Sequence, residues 1–168
     1  MLGGITKFIL QSKIRQEEGK RQKKFLPWEK IEKIAVIVEK QDALNKSSID
    51  KFIEETKKYI EVYYVELKSK QPSFNDWHCF SKKDKSFWDL PNKSMESELK
   101  TKKFDAVINT CNENNLFAIA ISSSLPAYLK CSENNRFNLA DLVIKKTTPF
   151  TLKTYLDETV KYLKMIRV

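Results

Sequence analysis

A chain of 168 residues, 41% hydrophobic and 32% charged, is long enough for one domain that buries roughly 70% of its unfolded surface, which excludes disorder for most of it. Three cysteines, Cys79, Cys111 and Cys131, are odd in number and lack metal-site spacing, so neither a disulfide framework nor a zinc site is expected and a reducing cytoplasm fits best. The net charge of +9 is uneven: residues 1–24, 68–103 and 145–168 stand at +5, +4 and +4, and the two segments between them at −2 each.

From Ile5 to Lys24 the spacing is helical, with Ile5, Phe8 and Ile9 on one face and Lys13, Arg15, Lys20, Arg21, Lys23 and Lys24 crowding the later turns. Such a basic amphipathic helix either packs on the domain by its stripe or serves as an arm for RNA, the ribosome or an anionic membrane surface. Lys7 breaks the apolar run and no small-residue cleavage site follows, which argues against a signal peptide, and no run approaches the ~18 apolar residues of a spanning helix. Pro27 stops the helix. The aliphatic run Lys33–Glu39 predicts a strand covered on both faces, Ser47 or Ser48 can cap a helix carrying Ile49, Phe52 and Ile53, and Tyr59–Leu67 predicts a second strand. Together they form a βαβ unit.

Residues 68–103 hold a short strand at Trp77–Phe80 and a helix from Ser94 to Lys102, with Glu96 and Lys100 at pairing distance. Here Trp77, His78, Phe80, Phe87 and Trp88 alternate with Lys82, Lys83 and Lys85, a composition that suits either a cover over a sheet edge or single-stranded nucleic acid. The most apolar and least charged stretch, Phe104 to Leu129, predicts a strand (Phe104–Asn109), a polar turn (Cys111–Asn115) and a helix buried on most sides (Leu116–Ser124). Strands at Ala127–Cys131 and Leu139–Lys145 and a helix carrying Leu152, Tyr155, Leu156, Val160, Leu163 and Ile166 complete the chain, with Pro149 at the helix start and Thr148 or Thr151 as its cap.

Chemistry-bearing motifs are sparse. The three glycines all precede the first strand, so neither a dinucleotide fingerprint nor a phosphate loop is present, and no cofactor is expected. His78 and Cys79 are adjacent on a strand and point to opposite faces. Cys111 lies after the central strand, where open α/β sheets place ligands, surrounded by Asn109, Thr110, Asn112 and Asn115; either it serves a small-ligand or enzyme site, or Asn112 or Asn114 caps the helix and the cysteine fills space. Ser122, Ser123 and Ser124 lack a nucleophile elbow and read as a helix end before Pro126.

The basic first helix, the aliphatic first strand, Phe104-Asp105, Ala127-Tyr128-Leu129-Lys130 and Tyr162-Leu163 resemble a family of uncharacterised small α/β proteins of Bacteroidetes. More distantly, the strand Phe104–Asn109 and the segment Ala127–Lys130 are similar to the N-terminal half of heptosyltransferase-like glycosyltransferases. Cys131 stands where that pattern has glycine and the second, donor-holding half is missing, so the likeness implies a fold and no activity.

The expected architecture is a three-layer Rossmann-like α/β domain over residues 28–168, its sheet mainly parallel, preceded by the basic helix and connection of residues 1–27. The expected function is non-enzymatic and cytoplasmic: binding of an acidic partner, RNA or the ribosome first, with phosphates neutralised by Lys13, Arg15, Lys20, Arg21, Lys23, Lys24, Lys82, Lys83 and Lys85. Its rivals are a ligand or enzyme site at Asn109–Asn115 with Cys111, and peripheral membrane binding through Ile5, Phe8 and Ile9.

Overall fold

The structure, a computed structural model, describes residues 2–39, 46–67, 74 and 76–167. Six strands form one sheet in the order β3-β2-β1-β4-β5-β6, and every pairing is parallel. They are β1 (Lys33–Val38), β2 (Tyr59–Tyr64), β3 (Trp77–Cys79), β4 (Phe104–Asn109), β5 (Ala127–Ser132) and β6 (Leu142–Val143). Central strands of a parallel sheet are covered on both sides, and β1 accordingly buries Ile34 through Val38 without interruption.

Among the described residues five helices surround the sheet: α1 (Leu2–Lys20), α2 (Lys46–Thr56), α3 (Lys93–Lys100), α4 (Leu116–Ser124) and α5 (Leu152–Met165). From β1 the chain moves to β2 through α2 in one direction, and from β4 to β5 through α4 in the other. Crossovers of one hand must then place α2 and α4 on opposite faces. They do so: Ile49 and Phe52 of α2 join Leu152, Tyr155 and Leu156 of α5 over Ile34, Val36 and Val38, while Phe117, Ala118 and Ile121 of α4 join Leu99 of α3 over Ala35 and Ile37. Residues of β1 alternate between the two cores, as a period of two requires.

The first helix is packed on the domain, but by a different stripe from the one its sequence suggests. Leu10 and Ile14 are buried, with Ile9 beside them, against Ile119 and Ala120 of α4 and against Leu90 and Leu139. Ile5 and Phe8 remain exposed, Phe8 to 73%. The helix ends at Lys20, so Arg21–Lys24 lie beyond it. Because α1 covers the outer side of α4, that helix is buried from Phe117 to Ser124, which explains a helix apolar nearly all round.

Several boundaries shift from the sequence reading. The second strand stops at Tyr64, and the last strand shrinks from Leu139–Lys145 to two residues because only Leu142 and Val143 reach register with Cys131 and Ser132. The third helix starts at Lys93 under an Asn92 cap, and Thr151, three residues before Thr154 whose N–H it accepts, caps α5 at Leu152. The expected Glu96–Lys100 pair is replaced by two tertiary ones: Glu96 pairs with Lys13 of α1, and Lys100 with Glu17 at 2.9 Å. The polar loop expected over residues 40–46 lies outside the described residues except for Lys46, which begins α2.

Candidate functional site

In an open α/β sheet the usual ligand position is the crevice at the carboxyl ends of the strands where the order reverses, here between β1 and β4. Its described residues bond to one another. Asn109 accepts the N–H of Cys111 at 3.0 Å, and the Thr110 hydroxyl donates to the carbonyl of Ile37 at 2.8 Å. Glu39, just after β1, takes the N–H of Asn112 at 2.9 Å on one carboxylate oxygen and the Asn115 amide at 3.1 Å on the other. Asn115, rather than Asn112 or Asn114, caps α4 by accepting the N–H of Ala118. An anion approaching this helix start meets the Glu39 carboxylate. Cys111 is 1% exposed, packed with Ala35, Ile37 and Phe117.

The basic residues of the first segment divide into two groups. Arg21 is nearly enclosed, with its guanidinium bonded to Asp141 at 2.7 and 2.8 Å and to Glu18 at 2.7 and 2.8 Å. Lys23 lies 3.4 Å from both carboxylates, and Lys13 pairs with Glu96. Arg15, Lys20 and Lys24 are exposed and have no ion pair among the described residues. In the middle segment Lys85 pairs with Asp89, whereas Lys82 and Lys83 are exposed on a short turn fixed by reciprocal bonds of Ser81 and Asp84.

At the opposite, amino end of the sheet, a groove of about 630 Å³ opens between the end of α1, the end of α4 and the starts of β4 and β5. Lys20 arrives from the end of α1 and Lys100 and Lys103 from the end of α3 and the turn after it; Phe104, Leu125, Pro126 and Tyr128 supply apolar surface, and Ser123 and Lys130 also line the groove. The structure does not bring Lys82, Lys83 or Lys85 to this groove. Lys130 is 2% exposed, and its ammonium donates to the carbonyl of Ser123 at 3.2 Å and lies 3.7 Å from Glu18. Burial, only partly opposed by Glu18, pushes its pKa down to about 8. The Ser123 hydroxyl is buried and has no hydrogen-bond partner among the described residues.

Three helices end at or beside this groove, and each C-terminus carries roughly half a negative charge, which cations relieve. That service accounts for about one and a half unit charges. Lys100 and Lys130 already face Glu17 and Glu18, and Lys20 and Lys103, which have no carboxylate partner among the described residues, are the cations that meet it. Of the two acids on the wall, Glu17 pairs with Lys100 at 2.9 Å, and Asp105 accepts the N–H groups of Glu32 and Lys33 at 2.8 and 2.9 Å and so fixes the start of β1.

A family model matches residues 5–166, almost the entire chain. The chain belongs to DUF6913, a family of unknown function. Comparison with curated proteins and with solved structures finds no match.

One more polar cluster of this DUF6913 chain escaped the sequence reading. Glu61, buried on β2, accepts the Tyr63 hydroxyl at 2.9 Å and lies 3.1 Å from His78 Nε2, 3.2 Å from Lys33 and 3.4 Å from Lys102. Burial pushes its carboxyl up, but Tyr63, Lys33 and Lys102 outweigh that and hold it at about 2. His78 stacks on Tyr63 with ring centres 4.7 Å apart, while Cys79 faces the other core, the opposed arrangement expected of neighbours on a strand. Among the described residues no group of three His, Cys, Asp or Glu side chains is placed to hold a metal, and no helix is long and apolar enough to cross a membrane. Lys130 and Ser123 offered little signal: a lysine in AYLKC and one serine among three acquire meaning only when α1 closes over them.

Proposed function

We propose that this DUF6913 chain is a non-enzymatic, cytoplasmic binding protein that engages a polyanion, with single-stranded RNA the first candidate and the ribosome its natural setting. The observation that carries the reading is the convergence of Lys20, Lys100 and Lys103 on one groove beside the partly exposed ring of Tyr128. Lysines neutralise phosphates and an aromatic face stacks a base, the combination by which single strands are held without sequence preference. Arg15 and Lys24 extend the same unpaired charge along and beyond the end of α1. The Lys24 N–H donates to the carbonyl of Tyr128 at 3.1 Å, which holds this lysine's backbone beside the groove. Asp105 and Lys130, two of the polar residues on which the likeness to glycosyltransferases rests, have internal partners, which speaks against carrying an activity over from it.

The test is retention of a single-stranded RNA at low and high salt, with the double variant Lys20→Glu, Lys103→Glu for comparison. Binding at low salt that weakens by an order of magnitude or more in the double variant supports the proposal. No retention of RNA by the native protein at low salt overturns it.

A second reading has its own observation. Ile5 and Phe8 are exposed next to Lys7 on α1, which suits the surface of an anionic membrane. Co-sedimentation with phosphatidylserine vesicles, lost in Phe8→Ala, would favour it over RNA.

A further inference from the structure

We infer that a single RNA strand held in the groove runs on across the amino ends of β4, β1 and β2, where the ring of Tyr59 gives it a second stacking platform. This rests on the proposed RNA reading and adds to it the path of the strand. The pairings of Phe104 with Ala127, Ile34 with Ala106 and Lys33 with Tyr59 put Tyr128, Asp105, Lys33 and Tyr59 in one row across four strands. Residues at one register of parallel strands share a face of the sheet. Lys33, two residues before Ala35, takes the face that α3 and α4 cover. The ends of the row are both exposed tyrosines, Tyr128 to 37% and Tyr59 to 61%, three strand spacings or about 14 Å apart.

The row is continuous with the groove. The Lys33 ammonium lies 4.8 Å from the ring centre of Phe104, a groove residue, and 5.1 Å from that of Tyr59, so the two rings are within about 10 Å of each other. Lys33 also pairs with buried Glu61 at 3.2 Å, which fixes the ammonium and with it the placement of the Tyr59 ring. An aromatic face ordered in advance binds a base at a lower entropic cost than a free one. The carboxylates under the row are engaged, Asp105 by the N–H groups of Glu32 and Lys33, and Glu61 by Lys33, Lys102 and the Tyr63 hydroxyl. Glu32 is exposed at the same edge, so the row is less positive than the groove and what it supplies is stacking. The lysines of the groove hold phosphates, and Tyr128 and Tyr59 hold bases on either side of Lys33. A duplex keeps its bases stacked on each other and could not present them to either ring.

The experiment measures the affinity of an oligouridine of about 12 nucleotides over a range of salt concentrations. Tyr59→Ala should weaken binding about 10-fold and leave the salt slope unchanged, because a base contact is lost and no phosphate contact is. Tyr59→Phe keeps the ring and should bind like the parent. Tyr59 is exposed, so both variants should fold as the parent does. Tyr162→Ala, at a tyrosine 43% exposed on α5 over the other face of the sheet, is the control and should also bind like the parent. Parent-like binding by Tyr59→Ala, where Lys20→Glu, Lys103→Glu still weakens it, overturns the inference and leaves the RNA in the groove. An equal loss in Tyr162→Ala, or a shallower salt slope in Tyr59→Ala, overturns it as well. If the native protein retains no strand at low salt, the RNA reading fails and the path across the sheet fails with it.

Discussion

At the scale of single residues, two buried charges set the response to pH. Glu61 has its pKa held at about 2 against an ordinary 4.5, so it contributes stability that is complete above pH 4.5 and lost as the pH falls toward 2. The contribution is on the order of 3 kcal/mol. In urea unfolding, Glu61→Gln should lower stability at neutral pH and flatten its fall between pH 4.5 and 2; a slope identical to the parent's would show that the Lys33, Lys102 and Tyr63 contacts do not act on this carboxyl. Lys130 works in the other sense. Its folded pKa of about 8 lies below the ordinary 10.5, so the unfolded chain binds the extra proton and stability rises with pH across that window. Lys130→Met should erase this rise, and parallel pH profiles for the two proteins would contradict it. The thiols give a third readout: Cys111 and Cys131 are each 1% exposed and burial pushes the Cys131 thiol up to about 12, so iodoacetamide at neutral pH should leave both unmodified until the protein unfolds. Preferential labelling of Cys111 in the native state would revive the ligand or enzyme reading of the Asn109–Asn115 loop.

Among the elements, α1 is the one whose role turns on which stripe is buried. Leu10 and Ile14 sit against Ile119 and Ala120, whereas Phe8 projects into solvent. Truncating a buried aliphatic side chain costs about 2–5 kcal/mol, through both lost burial and the cavity left behind. Ile14→Ala should therefore lower the unfolding free energy by about 3 kcal/mol and Phe8→Ala by less than about 0.5 kcal/mol, both read from denaturant midpoints. Equal, small effects would mean that the helix is not held on α4. The sequence showed that this segment is helical and basic, yet it could not choose between two overlapping apolar stripes. Ile5, Phe8 and Ile9 form one at local spacing, and Leu10 and Ile14 form another at i, i+4. The choice belongs to α4, whose apolar outer side needs a cover, and to Glu96 and Asp141, which anchor Lys13 and Arg21 across the chain.

For the whole molecule, the distribution of exposed charge predicts how binding depends on salt. Lys20, Lys24, Lys100 and Lys103 are the cations at or beside the groove that are exposed. If four phosphates are neutralised, the logarithm of the RNA affinity should fall against the logarithm of salt with a slope of about −3. Lys103→Glu should make that slope shallower by about 1, while Lys82→Glu, at a turn away from the groove, should leave it close to the parent's. An equal effect of the two variants would move the binding surface off the groove.

The hydrophobic pattern by itself determined the layers. Aliphatic runs at Ile34–Val38 and Ala106–Ile108 are best satisfied by strands covered on both faces, and the alternation of such strands with amphipathic helices leaves a parallel α/β sheet as the economical solution. Charge, by contrast, is legible in a sequence only as a total and a density. Whether Arg21 meets solvent or two carboxylates, or whether Lys20 finds Lys103, depends on residues that lie far apart in the chain. Tertiary structure alone decided that the carboxyl-end crevice is occupied by Glu39, and that three lysines and a tyrosine share a groove at the other end of the sheet. The difference is physical: burial patterns repeat over a few residues and report on local geometry, whereas electrostatic partners are set by where the fold returns.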